Sequence, residues 1–267
     1  MMKIRFVCKY FGWSLIKYAV AISIGIFCSR VAYIFLNNEN KIISLIFSFI
    51  NQKYIPYIIP IILCGIVYCS IHRANKDKII NQNGCFYIDI PYQILYLLSF
   101  VTGYKSIETV NVPIWMQFLI YKSPYWNIST GNQLDSKKDS VSIIESNHKV
   151  NDDEINVILE DTYRIIDKIP DRLKKIHKNL IVSRSMEYEG NASLNEEFVD
   201  KSVAKLNRFY KSEYTVINIF ASTNPVHTKK IVDGVFKKNI REKHVTVNVY
   251  QSVGMNHIYS EKHKVIK

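Results

Sequence analysis

The chain has 267 residues, a formal net charge of +12 and a sequence pI near 9.3, and 48% of its residues are hydrophobic. A chain of this length forms one or two domains. Its excess of basic residues favours contact with an anionic membrane face or with a polyanion such as a nucleotide. All five cysteines lie at or before Cys85, which excludes a disulfide framework, a thiolate metal site and a cysteine nucleophile from the rest of the chain.

The first predicted element is a mainly apolar run over residues 13–36. A helix rises about 1.5 Å per residue, so this run can cross a hydrocarbon core of about 30 Å. It lacks a small-residue cleavage site, which disfavours a cleaved signal peptide. Lys17 can reach the headgroups from one end. Arg30 lies deeper, and two interpretations stay open: it also reaches the headgroups, or it faces a helix bundle or pore.

The second predicted membrane helix covers residues 54–71. The apolar stretch 42–50 either extends it, with a kink at the following prolines, or lies flat in the membrane interface. Basic residues precede the first helix and follow the second, whereas the loop between them carries few. The positive-inside rule therefore predicts a multi-pass protein of the cell inner (plasma) membrane with both termini in the cytoplasm.

Residues 79–139 form a membrane-proximal, aromatic segment. The run 92–101 is too short to span a bilayer, so we predict a core or interfacial helix. Residues 115–121 are rich in strand formers and predict a strand. The polar stretch 129–139 predicts an exposed loop.

A regular alternation of elements follows residue 140. Residues 140–145 predict a strand. The acidic stretch 151–154 is typical of a helix N-terminus, and apolar residues at helical spacing predict that the helix continues to Ile166. Residues 180–184 predict another strand. Ser193 and Glu196 form a capping box that predicts a helix ending near Tyr210.

The last block predicts a strand–turn–helix–strand unit, with strands at 214–221 and 245–250 and a helix at 226–238. Ligands bind such units where strand ends meet helix N-termini. The candidate ligand contacts at this turn are Ser222, Thr223, Asn224, His227 and Lys229. Two interpretations stay open: ordinary capping with a solvated basic face, or a phosphate or nucleotide site. The turn lacks GxGxxG and GKS/T patterns, which disfavours a dinucleotide or NTPase site.

The sequences INIFASTNPVHTKKIVDGVF, VTVNVYQS and HIYSEKHKVIK resemble the SAVED domain. That domain is a fusion of two CARF-like Rossmann units that senses cyclic oligonucleotides in bacterial CBASS anti-phage systems. The resemblance adds Tyr250, at the end of its strand, to the candidate ligand contacts. It also implies the domain plan: a transmembrane region over 1–78, a segment 79–139 that is a degenerate first CARF-like unit, and an α/β CARF/SAVED-like sensor over 140–267.

The resemblance implies a fold class of two transmembrane helices followed by a Rossmann-like cytoplasmic domain. It implies an abortive-infection effector that binds a cyclic oligonucleotide, contacts membrane lipids, forms a homo-oligomer and disrupts the membrane. We found no catalytic constellation and no metal-ligand spacing, so we expect no enzyme activity, no cofactor, no metal and no DNA or RNA duplex as a partner. The alternative is a membrane-tethered structural or interaction component of an envelope or secretion complex.

Overall fold

The computed structural model describes residues 2–37, 54–131, 134–137, 139–146, 153–185, 193–212, 214–237 and 245–267. The apolar stretch 42–50 and the first two residues of the predicted helix start at 151–154 lie outside the described residues.

The chain divides into two compact units. Unit 1 comprises Met1–Ile80 and Ile90–Ile107, and unit 2 comprises Asn81–Asp89 and Glu108–Lys267. Three peptide bonds therefore join the units, and the segment 79–139 is shared between them.

Unit 1 is helical and includes both predicted membrane helices. A continuous helical segment consists of α1 (Met2–Val7), a π-helical turn (Cys8–Gly12) and α2 (Trp13–Asn37). It is followed by α3 (Ile55–Asn75), β1 (Ile79–Ile80), α4 (Tyr92–Thr102) and β2 (Ser106–Glu108). Strands β1 and β2 pair in parallel. Within the described residues, two helical spans are long and apolar enough to cross a membrane, Lys3–Val31 and Tyr57–Asn75. The two predicted apolar helices are thus confirmed, and so is the helix predicted at 92–101.

The two long helices of unit 1 pack through small side chains. Ala21, Gly25 and Ser29 are buried at four-residue intervals along α2. A Cβ added to Gly25 would lie 2.8 Å from the Cα of Pro60 in α3, so the two backbones approach closely at this point. Close backbone contact through small residues is a common way for helices to associate in membranes, where lipid provides no hydrophobic driving force.

Unit 2 contains a six-stranded sheet in the order β4-β6-β5-β7-β8-β9. The strands are β4 (Val141–Ser146), β5 (Glu154–Glu160), β6 (Lys178–Arg184), β7 (Val216–Ala221), β8 (Thr246–Val253) and β9 (Ile258–Ile266). The central four strands are parallel, and the two edge strands are antiparallel. The helices are α5 (Ile114–Lys122), α6 (Asp171–Ile176), α7 (Glu196–Tyr210) and α8 (Pro225–Val235). Two 3₁₀ turns (Gln82–Gly84, Ile166–Lys168) and the short strand β3 (Asn127–Ser129) complete the unit. This is the predicted Rossmann-like α/β architecture.

The helix predicted over 155–166 is wrong, because its first part belongs to the central strand β5, which ends at Glu160, and the chain then turns. Ile155, Val157, Ile158 and Leu159 are all fully or almost fully buried, since β5 pairs with a parallel strand on each side. A strand covered on both faces reads as a continuous apolar run, and such a run also satisfies helical spacing.

The strand predicted over 115–121 is also wrong, because the segment forms helix α5. Pro113 stands just before the first helical residue, and Phe118 packs against Phe236 with ring centroids 5.8 Å apart.

The predicted cap of α7 is wrong as well. Asn195, and not Ser193, accepts a hydrogen bond from the backbone N–H of Phe198 at 2.9 Å.

Four buried asparagines form a ladder across the parallel strands. Asn156 donates to Asn179 at 2.9 Å, Asn218 donates to Asn156 at 3.4 Å, and Asn248 donates to Asn218 at 2.9 Å. Asn156 also donates to the carbonyl of Leu173 in α6 at 2.8 Å. Buried amides are stable only when their hydrogen bonds are satisfied, so the ladder fixes strand register and holds α6 against the sheet.

Candidate functional site

A cavity of about 560 Å³ opens at the carboxyl edge of the sheet in unit 2. Its walls include residues that follow β5 (Thr162 and Tyr163), residues that follow β7 (Asn224 and Pro225) and the end of β8 (Gln251). In open α/β sheets this edge is the usual place for ligands, and the volume lies in the range of small-molecule pockets.

The opposite wall of the cavity comes from the chain around residues 110–117, together with Tyr87. Asn111 adopts a left-handed conformation and donates to the carbonyl of Gly84 at 2.7 Å. The buried Tyr121 of α5 donates to the carbonyl of Pro225 at 3.1 Å, and burial raises the pKa of its hydroxyl. These bonds hold the wall in place next to the N-terminus of α8.

The predicted turn residue Ser222 joins two strand ends. Its backbone N–H donates to the carbonyl of Leu159 at 2.9 Å, and its hydroxyl donates to the carbonyl of Tyr163 at 2.6 Å. Its carbonyl accepts from both the backbone N–H and the hydroxyl of Thr162. Ser222 is buried, so its polar atoms are used to position the turns that line the cavity.

Asn224 is the one predicted ligand contact that lines the cavity within the described residues. It is also the N-cap of α8, because its side-chain oxygen accepts from the backbone N–H of His227 at 2.9 Å. The neighbouring Thr223 shares a hydrogen bond of 2.7 Å with the hydroxyl of Thr228. Helix capping, which the sequence offers as one interpretation of this turn, is thus present at Asn224.

His227 is fully buried beneath this turn. Its Nε2 accepts from the backbone N–H of Asn195 at 3.0 Å, so a neutral ring carries its proton on Nδ1. That Nδ1 lies 2.7 Å from Oδ2 of Asp161 and donates to it. The same carboxylate oxygen accepts from the backbone N–H and the side-chain amide of Asn224, both at 3.0 Å.

Arg184 completes this buried network from the end of β6. It donates to Oδ1 of Asp161 at 2.7 Å and also bonds Asp139 and the hydroxyl of Ser193. Burial alone would lower the pKa of Arg184, but the hydrogen bonds to Asp161 and Asp139 raise it. The network thus joins the ends of β5 and β6 to the starts of α7 and α8, and it fixes the position of Asn224, which lines the cavity.

Two predicted ligand contacts have partners away from the cavity lining. The ammonium of Lys229 lies 2.7 Å from the carboxylate of Asp233, one helical turn along α8. Tyr250 stacks on Phe220 with ring centroids 4.4 Å apart and belongs to a buried cluster that includes Tyr259. The binding roles proposed for these two residues stay predictions.

The described residues that line the cavity carry no charge. The wall offers aromatic rings, including Tyr87, Tyr163 and Tyr259, and amide groups, including Gln251. A cation lies nearby, because the ammonium of Lys168 is 4.9 Å from the centroid of the Tyr163 ring. Such a surface suits flat, uncharged rings inside the cavity. Among the described residues, no group of three or more His, Cys, Asp or Glu side chains could hold a metal ion.

The sequence did not single out Asp161, Arg184, Asn195 or Tyr121. Arg184 was the last residue of a predicted strand, and polar residues at strand ends are a usable signal. The same signal does not identify Asp161, because the sequence predicts a helix where β5 ends and therefore no strand end at this residue.

In unit 1, the two predicted membrane or pore residues are both exposed on α2. The ammonium of Lys17 lies 5.9 Å from the ring centroid of Trp13. A pore-lining role for Arg30 stays a prediction.

A family model described as the SMODS- and Ubiquitin system-associated 2TM effector domain matches residues 14–266. Among solved structures, the chain is similar to the Acinetobacter baumannii Cap4 SAVED/CARF-domain containing receptor, with the cyclic trinucleotide 2'3'3'-cAAA and with 3'3'3'-cAAA. In both cases the identity is 13% and the TM-score 0.43, and the match covers 66% of this chain and 42% of the receptor. The chain thus spans less than half of the receptor's length. No curated protein matches the chain.

Proposed function

Because the chain belongs to the family of SMODS- and ubiquitin system-associated 2TM effectors, we propose that unit 2 binds a cyclic oligonucleotide and thereby triggers disruption of the membrane. The observation that carries the proposal is the cavity at the carboxyl edge of the sheet. It stands where nucleotides bind in other doubly wound folds, and its uncharged aromatic and amide lining fits nucleobases.

In the proposed binding mode, a base stacks on Tyr163, and amide groups such as that of Gln251 bond its edge. Tyr163 is 37% exposed, so its ring is accessible to a ligand. The phosphates then lie toward Lys168, whose ammonium is near the same ring. Asn224 contributes from the turn after β7. We propose that Ser222, Thr223 and His227 act by holding this turn, since their polar atoms are engaged within the protein.

For the membrane topology, we propose that both termini lie in the cytoplasm of a multi-pass inner-membrane protein. The basic residues Lys3, Arg5 and Lys9 precede the first span, and Arg73, Lys76 and Lys78 follow the second, which is the distribution expected from the positive-inside rule. This orientation gives unit 2 access to a soluble nucleotide in the cytoplasm.

For the output, we propose that ligand binding drives assembly of several copies. Two helices from one chain cannot enclose a water-filled pore, so disruption of the bilayer requires helices from neighbouring copies. Three peptide bonds join unit 2 to unit 1, and a rearrangement in unit 2 would reach the spanning helices through them. Arg30, exposed on α2, is then a candidate for contacts between copies or for lining the pore.

The test of ligand binding uses the full chain in detergent with a panel of cyclic di- and trinucleotides. We expect one of them to raise the melting temperature of the full chain, because a ligand that binds only the folded state stabilises it. Tyr163→Ala should weaken binding roughly 5- to 150-fold, since stacking of one base contributes about 1–3 kcal/mol. Tyr163→Phe keeps the ring and is the matched control, with affinity close to wild type. Equal affinities for the two variants would contradict the proposed stacking site.

A further inference from the structure

Helix α4 of unit 1 exposes an apolar surface. The helix, Tyr92–Thr102, contains no charged residue. Its side chains Ile94, Leu97 and Phe100 are 47%, 60% and 51% exposed, and their three-residue spacing places them on one side. A helix that faces water normally carries polar residues on that side. An exposed apolar helix face marks contact with a membrane or with another protein.

The C-terminal end of α4 is bonded to both spanning helices. Tyr18 of α2 donates to the carbonyl of Val101 at 2.8 Å, and His72 of α3 bonds the same carbonyl at 3.2 Å. Asn75, the last residue of α3, donates to the carbonyl of Thr102 at 2.9 Å. The last carbonyls of a helix have no partner within the helix, so here α2 and α3 supply the donors.

Packing beside the helix end is also close. Gly103 ends α4 with a φ of +81°, and an added Cβ would lie 2.7 Å from the Cα of His72. Nearby in unit 1, the buried ring of Phe11 packs against the rings of both Phe6 and Tyr104. The end of α4 is therefore fixed to the same end of the two long helices.

These bonds define the depth of α4 relative to the bilayer. The part of α2 beyond Tyr18, residues 19–37, spans about 28 Å at about 1.5 Å per residue, close to the thickness of the hydrocarbon core. Exposed cations stand at the same end of the helix pair, at Lys17, Arg73 and Lys78. Basic side chains at a helix end lie at the level of anionic headgroups. The C-terminal end of α4 is therefore held at the level of the boundary between headgroups and acyl chains.

We propose that α4 is a third membrane-contacting element, which lies in the bilayer interface and inserts Ile94, Leu97 and Phe100 among the acyl chains. The occupant of its exposed face is lipid, because the end of α4 is bonded to both spanning helices and exposed cations stand at the same end of these helices. The proposal concerns the membrane and does not depend on nucleotide binding.

The experiment places a photoreactive p-benzoylphenylalanine at Leu97 of the full chain. The protein is reconstituted in vesicles of phosphatidylethanolamine and phosphatidylglycerol, without any nucleotide, and irradiated. Mass spectrometry then identifies lipid adducts. The same probe at Ile66, which is exposed on α3, is the positive control, and Met255, which is 98% exposed in unit 2, is the water-facing control.

We expect the Leu97 probe to give lipid adducts at a yield near that of Ile66 and at least about fivefold above that of Met255. A Leu97 yield equal to that of Met255 would overturn the proposal. Chain-to-chain adducts at Leu97 in place of lipid adducts would also overturn it, because a second copy would then cover α4.

Discussion

Replacement of Asp161 by alanine tests the buried network that supports the candidate site. The carboxylate has no exposed surface and accepts four hydrogen bonds, from Arg184, His227 and two N–H groups of Asn224. After the substitution, Asp139 remains as the carboxylate partner of Arg184. The donors of His227 and Asn224 lose the acceptor that they share.

Removal of one member of a buried ion pair costs about 3–5 kcal/mol. A domain of about 150–250 residues loses about 2–4 °C in melting temperature per kcal/mol. We therefore expect Asp161→Ala to lower the melting temperature of unit 2 by roughly 6–20 °C. Asp161→Asn should not restore it, because the amide replaces one acceptor by a donor that faces other donors.

The assay follows thermal unfolding of the full chain in detergent by the fluorescence of Trp115 and Trp126, which both lie in unit 2. The matched control is Asp167→Ala, which removes an exposed aspartate and should change stability by no more than about 0.5 kcal/mol. If Asp161→Ala and Asp167→Ala melted at the same temperature, the network would not stabilise unit 2 around Asn224 as we argue.

Three further predictions concern the two units separately. Gly25→Ala should lower the aggregation-onset temperature of the full chain in detergent, because the new Cβ meets the Cα of Pro60. The control Gly65→Ala, where nothing lies within 4 Å of the new Cβ, should leave this temperature unchanged. Equal onset temperatures for the two variants would refute close packing at Gly25. Asn156→Ala should destabilise unit 2 by about 1–3 kcal/mol, since it leaves buried polar groups unpaired; a wild-type denaturation midpoint would show that the ladder is not stabilising. Burial lowers the pKa of His263 below its usual value near 6.5. In the folded protein, His263 therefore binds a proton less readily than in the unfolded chain. The contribution of His263 to the free energy of unfolding is present above pH 6.5 and is lost as the pH falls toward the pKa of the folded state. The loss of melting temperature between pH 7.5 and 5.5 should be smaller in His263→Gln than in wild type, and an unchanged loss would contradict this.

The sequence predicts correctly those elements whose residue patterns are compatible with only one type of structure. The two long apolar helices satisfy a length criterion that few other structures meet. The last strand–turn–helix–strand unit has a polar turn with Pro225 in the first helical turn, and Asn224 caps the helix as expected. The resemblance to two-helix SAVED-type effectors, which was drawn from this block, agrees with the family match over residues 14–266.

The sequence was ambiguous where an apolar run has no period. The segments that form β5 and α5 are both mainly apolar, because their surroundings bury them on more than one side, and the sequence predicts the wrong element type for each. The cavity depends on contacts distant in sequence, such as Asp161 with Asn224 and Tyr121 with Pro225. No local pattern indicates such pairs, so five of the six predicted ligand contacts lie outside the residues that line the cavity.

The central claim is that a cyclic oligonucleotide switches this membrane protein from a closed to a membrane-disrupting state. The most direct measurement is ion leakage from sealed vesicles that contain the full chain, with the nucleotide that shifts its melting temperature added on the side of unit 2. We predict little leakage without the nucleotide, rapid leakage after its addition, and no response in Tyr163→Ala at the same concentration. Vesicles that stay sealed while the bound nucleotide stabilises the protein, or that leak equally without it, would contradict the claim.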